Sequence, residues 1–247
     1  MNSTHGLNVI NSMFGLIDVL SIKLNRNSQG TCCGLKRYFV EQEGSMTWVC
    51  FLPWRTDLET ARKHHLLPKS GNLLVYKVPD NLLGSTPELT LEAFDCIRQD
   101  FESALEKYDL ASKEIAFWGL SAGTIPAFYF ANRYTCKKLV AVCPTARLGE
   151  GIFTARAARK IKKVAVANGY TAETYDNSIS EINIENNLDK LPEDVTIYLA
   201  RFDRFVPYSG GEEVAVKIGK NVSLKVFNFF GHIMALYFFG RVNLNGK

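Results

Sequence analysis

Histidine is scarce in this chain. There are four, at His5, His64, His65 and His232, in 247 residues. Cysteine is little commoner, at six, and no two form a C-x-x-C pair, so the usual zinc motifs find neither of their halves. Long apolar runs are missing too. Asn8, Asn11, Ser12 and Asp18 interrupt the N-terminal stretch, and no basic region precedes it. That pattern predicts neither a signal peptide nor a membrane span, and hence a cytoplasmic chain with free thiols. Charge of one sign is not in excess either. The net value is +4, and without a zinc-finger or RNA-binding signature a nucleic-acid surface is not expected. No internal repeat or low-complexity tract breaks the chain into an array.

What is present suits one globular unit. With 47% apolar residues over 247 positions, the chain can bury a full core in a single domain. Most of the 16 Phe and 10 Tyr fall in presumed strands and helices, where they read as core. Cys50, Cys96 and Cys143 lie in apolar or amphipathic segments and read as small buried hydrophobes, whereas Cys32 and Cys33 sit in a turn-like stretch. Residues 8–24 place Val9, Met13, Leu16, Ile17 and Leu20 near one helical face. The ordinary reading is a helix packed on the domain; the sharper one is a homodimer contact. Little basic charge lies beside it, which argues against a membrane surface.

Strand and helix patterns alternate. Strands are expected at 37–41 and 46–52, about the turn Glu43-Gly44-Ser45, then at 73–78, 115–118, 139–142, 195–200 and 222–229. Helices are expected at 58–66, 89–108, 124–132, 154–168 and 211–218, with a last one from about Met234. Such alternation predicts an α/β fold, a mostly parallel central sheet with helices on both faces. Ligands of such sheets bind beyond the carboxyl ends of the strands.

One stretch carries chemistry. Gly119-Leu120-Ser121-Ala122-Gly123 is a G-x-S-x-G box between the apolar run Ile115-Ala116-Phe117-Trp118 and a helical pattern from Thr124. A serine on a sharp strand-to-helix turn projects its hydroxyl outward, and the flanking glycines remove side chains that would clash. The box also occurs by chance in glycine-rich loops, so the strand and helix around it matter more than the pattern. A serine hydroxyl needs a base, and the base needs an acid to orient it. Only His232 follows Ser121, in Phe229-Phe230-Gly231-His232, just past a strand. Asp203 follows the strand 195–200, in Arg201-Phe202-Asp203-Arg204-Phe205-Val206-Pro207. Its plain alternative is a surface carboxylate paired with Arg201 or Arg204. Asp189 and Asp194 precede that strand and so belong at its opposite end, and Asp176 lies further back in a polar segment.

In order and in strand-end placement, Ser121, Asp203 and His232 resemble the nucleophile, acid and base of the α/β-hydrolase superfamily, over about residues 45–240. The resemblance implies an α/β-hydrolase fold, with one early strand of the family's set missing because the N-terminal part is short. It also implies a small helical cap insertion at residues 147–192, on a single domain of residues 1–247 with an N-terminal helical extension at 1–35. The oxyanion donors would be the N–H groups of Ala122 and Trp54, since the loop Leu52-Pro53-Trp54-Arg55 departs from the family's His-Gly and Pro53 has no N–H. Arg55 is a candidate to bind a carboxylate or phosphate of the substrate, or is simply structural. The basic run Arg156, Arg159, Lys160, Lys162 and Lys163 is a solvated helix face or an attractor of anions.

The reading that follows is a serine hydrolase acting on a carboxylic ester or related acyl bond of a small molecule, with no cofactor or metal implied. The same machinery would serve a thioesterase or an acyltransferase. The alternative of another class is a non-catalytic ligand-binding or signalling protein on the same scaffold.

Overall fold

The computed structural model describes residues 34–110 and 114–245. The helix expected at 8–24, Cys32, Cys33 and nearly all of the extension at 1–35 lie outside the described residues, as does any early strand there.

Seven strands form one sheet in the order β1-β3-β2-β4-β5-β6-β7. They are β1 (Lys36–Val40), β2 (Met46–Phe51), β3 (Asn72–Lys77), β4 (Glu114–Leu120), β5 (Lys138–Val142), β6 (Asp194–Ala200) and β7 (Val222–Phe227). All neighbours run parallel except β1, which is antiparallel to β3. The turn at Glu43-Gly44-Ser45 therefore does not close a hairpin. It carries the chain from β1 at the sheet edge, past the position of β3, to β2. The middle strands are apolar almost throughout: β4 and β6 each bury every residue after the first. That pattern belongs to strands covered on both faces. At their feet Lys138 pairs with Asp194 at 2.8 Å, a charged start to two apolar runs.

Successive side chains point to opposite faces, so each strand feeds two apolar layers. Val49, Phe51, Phe117, Leu139 and Ile197 pack under α2 (Pro87–Lys107), α3 (Thr124–Ala131) and α7 (Tyr208–Ile218), which supply Phe94, Phe101, Phe128, Phe130 and Val214. Cys50, Leu52, Trp118, Val140 and Tyr198 face the other way, against Ala61 of α1 (Leu58–Lys63) and Ala235, Leu236 and Phe239 of α8 (His232–Asn245). α2 begins on Thr86, whose hydroxyl accepts from Leu89 N, with Pro87 in the first turn where a missing N–H costs nothing. Its buried residues Thr90, Ala93, Phe94, Ile97, Phe101 and Ala104 recur at helical spacing. No helix among the described residues is long and apolar enough to cross a membrane.

Between β5 and β6 the chain forms α4 (Leu148–Thr154), α5 (Arg159–Ala167) and α6 (Ala172–Ser178), then two short 3₁₀ turns. The single helix expected over 154–168 is broken at Ala155, which is extended (φ −67°, ψ 128°). Helical phase explains the break. Ile152 and Ala158 are both buried, yet six helical residues would turn them about 240° apart. An extended residue resets the phase. The polar stretch 176–187 is not a solvated loop. Asp176 is buried and accepts from Gly149 N at 2.6 Å and Glu150 N at 2.9 Å, a carboxylate at the positive end of α4. Asn183 accepts from Leu148 N at 3.0 Å and donates to Asp176 O at 3.2 Å, and Asn187 donates to Asn183 O at 2.8 Å. Buried Tyr175 ties this segment to the start of α2, its hydroxyl lying 2.6 Å from Thr90 Oγ1 and donating to Gly84 O at 2.9 Å. At its outer edge Arg147 and Lys217 share Glu185 and Glu213, at 2.7–3.3 Å.

Candidate active site

β4 runs out at Leu120, and Ser121 turns the chain into α3 with φ +53°, a left-handed conformation costly for any residue with a side chain. The neighbouring glycines are steric necessities. A Cβ at Gly119 would stand 2.7 Å from Ala127 Cβ and Thr124 Cα, and one at Gly123 2.2 Å from Phe51 O. Thr124 Oγ1 donates to Ser121 O at 2.6 Å and braces the turn.

Asp203 stands in the loop after β6. Its Oδ1 accepts from Phe205 N and Val206 N, both at 2.8 Å, which fixes the carboxylate from its own chain. His232 opens α8 after β7, and Phe202 N donates to Phe230 O at 3.2 Å, so the two loops are stitched together. The imidazole then bridges the other two. Its Nδ1 is 2.7 Å from Asp203 Oδ2, and its Nε2 is 2.9 Å from Ser121 Oγ. The side chains of His232 and Asp203 are 6% and 1% exposed. A carboxylate only accepts, so the proton belongs on Nδ1, and Nε2 is left to accept from the serine hydroxyl. The Phe205 ring lies against the imidazole, centroids 5.5 Å apart.

Ser121 opens into a cavity of about 320 Å³. Leu148, Ile152 and Ala158 wall it from the segment between β5 and β6, and Ile233 and Leu236 from α8. That volume is at the small end for ligand sites, and the lining is mostly apolar. Ala122, Trp54 and Arg55 all border the same cavity. Trp54 is held by Nε1 donating to Asp80 O at 2.9 Å. Arg55 lies over the Trp54 ring at 4.2 Å and 3.7 Å from Asp80, so its charge already has a carboxylate partner. Arg156, Arg159, Lys160, Lys162 and Lys163 are exposed, and the cavity wall contains none of them.

One residue at this site reads as an ordinary core cysteine in the sequence. Cys143 directly follows β5 as Ser121 follows β4, and it too has a left-handed backbone, φ +53°. It borders the cavity, and its Sγ lies within 4.8 Å of the ligating atoms of Asp203 and His232. Burial, with the Asp203 carboxylate beside it, pushes the thiol well above the usual cysteine range. The available signal was positional: Cys143 directly follows an apolar strand, at the sheet edge where ligands bind.

No protein-family model matches the chain, and no curated protein matches it. Solved structures do. An esterase from Exiguobacterium antarcticum superposes with a TM-score of 0.55 at 14% identity, covering 87% of this chain and 95% of that one. The acylaminoacyl peptidase of Pyrococcus horikoshii gives 0.62 at 12% identity, covering 99% of this chain but 43% of that longer protein. MGS-M2, an α/β-hydrolase enzyme from a Medee basin deep-sea metagenome library, gives 0.51 at 15%, over 86% and 94%. At such identities the likeness is one of fold, and the fold is that of the α/β-hydrolases.

Proposed function

We propose that the protein is a serine hydrolase that cleaves a carboxylic ester or related acyl bond of a small molecule. The observation that carries this reading is the unbroken hydrogen-bonded chain from Ser121 Oγ through His232 to Asp203, at 2.9 and 2.7 Å, opening on an apolar cavity. That an esterase is among the proteins sharing its fold agrees with this reading.

Ser121 Oγ attacks the carbonyl carbon while His232 Nε2 takes its proton. Asp203 holds the ring and stabilises the imidazolium that forms. The N–H groups of Ala122 and Trp54 receive the oxyanion of the tetrahedral intermediate. His232 then returns the proton to the leaving group, and the acyl-enzyme is hydrolysed by a water that His232 deprotonates. The apolar walls select an uncharged acyl or alcohol portion. Residues 147–192 act as a cap over it, and the setting is cytoplasmic.

A fluorophosphonate probe tests this directly. Wild type is expected to label at one serine, and Ser121→Ala and His232→Ala to lose labelling. Ester turnover in Ser121→Ala should fall by about 10⁶-fold, the scale seen when a triad nucleophile is removed. Folded wild type that fails to label would sink the proposal and favour a ligand-binding protein without turnover.

A further inference from the structure

We propose that Cys143, Asp203 and His232 form a binding site for a thiophilic divalent cation, of which Zn²⁺ is the type, and that its occupancy turns the serine off. The three residues follow adjacent strands β5, β6 and β7, so the sheet itself sets their spacing. Sulfur, carboxylate oxygen and ring nitrogen lie within 4.8 Å of one another. Donors on a tetrahedral zinc at its ordinary bond lengths stand roughly 3.3–3.8 Å apart, so the 2.7 Å hydrogen bond between Asp203 Oδ2 and His232 Nδ1 gives way and that pair opens, while Cys143 Sγ moves in by up to about 1 Å. Cys143 is held for this role by its backbone, with N donating to Tyr198 O at 2.8 Å and φ at +53°. Charge favours the site as well. Zn²⁺ with one thiolate and one carboxylate is formally neutral, and a neutral cluster suits buried Cys143 and His232 and the Asp203 side chain, 1% exposed. Cys143 and His232 both border the cavity, which supplies the entry path and room for a water as fourth ligand. The three positions are so far apart in the chain that no local motif announces them.

The bookkeeping of protons is simple. The S–H bond of Cys143 breaks, a zinc–sulfur bond forms, and one proton leaves to solvent. Zinc takes the Nδ1 lone pair of His232, and the proton that stood there is carried by Nε2 instead. Nothing is oxidised or reduced. The imidazole then presents N–H to Ser121 Oγ, 2.9 Å away, and can no longer accept its proton. Binding does not depend on the proposed hydrolase activity; only the inhibition rests on that reading.

Co²⁺ titration reads the site without activity, through thiolate-to-metal charge-transfer absorption. Wild type and Ser121→Ala should each gain this band at one equivalent, and Cys143→Ala and Cys143→Ser should both lose it. The serine variant keeps the size of the side chain should the alanine variant fail to fold. In parallel, Zn²⁺ should slow fluorophosphonate labelling of wild type at least tenfold, chelator should restore it, and the Cys143 variants should keep their own metal-free rate. An identical band and identical suppression in the Cys143 variants would put the metal elsewhere and overturn the site. So would wild type that gains no band. If wild type never labels, the hydrolase reading fails, while the cobalt spectra still decide the site.

Discussion

Gly123→Ala should damage both stability and catalysis, and the reason is one carbonyl. The added Cβ would stand 2.2 Å from Phe51 O, 2.6 Å from Phe51 C and 2.8 Å from Leu52 O. These are backbone atoms at the end of β2, hydrogen-bonded on into the sheet, and they cannot swing aside as a side chain would. Restoring even a tight contact of 3.0 Å at Phe51 O needs a movement of almost 1 Å between the serine turn and β2. Overpacking of this kind costs about 1–3 kcal/mol. In a chain of this size each kcal/mol lowers Tm by about 2–4 °C, so the expected fall is about 2–12 °C. The same movement separates Ala122 from Trp54, on the loop that leaves β2. A misplacement of about 1 Å costs on the order of 100-fold in rate. Gly151→Ala is the control, because its Cβ would meet Thr145 Cγ2 at 3.5 Å, an ordinary contact, inside α4. There alanine should gain up to about 1 kcal/mol of helix propensity. Thermal unfolding and fluorophosphonate labelling rate, measured on both variants, check the pair. Wild-type Tm and labelling in Gly123→Ala, or equal damage in Gly151→Ala, would refute the steric account.

Two further outcomes concern the segment between β5 and β6. Asp176→Asn can accept only one of the two N–H bonds from Gly149 and Glu150, and should lose about 1.5–3 kcal/mol in urea unfolding. Burial is the largest influence on the Asp176 carboxyl and holds it above its ordinary 3.8, against the two backbone N–H groups that lower it. The folded protein therefore keeps that proton when the unfolded chain has lost it. Wild-type stability relative to Asp176→Asn should then be greatest below pH 3.8 and shrink as pH rises through the folded value; an advantage that grows with pH would mean the hydrogen bonds outweigh burial. Tyr175→Phe removes the hydroxyl shared by Thr90, Gly84 and Thr86, and should cost about 1–3 kcal/mol in the same assay. Burial pushes that hydroxyl up to about 12, so the loss should not vary with pH across the neutral range.

The sequence announces the serine turn strongly because its determinants are local: an apolar strand, two glycines, then a helix. His232 was legible by scarcity, and Asp203 by following a strand, although geometry alone joins them. The position of β1 was not legible, since pairing with β3 is carried by main-chain hydrogen bonds that leave no mark on side-chain pattern. The segment 176–187 reads only as polar, and its polarity does not tell that Asp176, Asn183 and Asn187 find their partners in N–H and C=O groups inside the fold. The break at Ala155 follows from which residues end up buried, and that is known only once the layers assemble. Cys143 reads as an ordinary small core residue because its sulfur meets Asp203 and His232 only where three strand ends come together. For Arg55 two roles were open, and Asp80 is the partner it has in the structure.

The walls of the cavity and the interior of the molecule are the same object on one side. Leu148 and Ile152 touch the cavity, yet with Tyr175, Ile179, Ile182 and Ile184 they belong to the cluster that contains Phe128, Phe130 and Ile197 beneath the sheet helices. A segment rooted in this way cannot be exchanged as a cassette, in the laboratory or in descent, without rebuilding half of the core. The shape of the chamber can therefore change only one side chain at a time, at the few positions that face it.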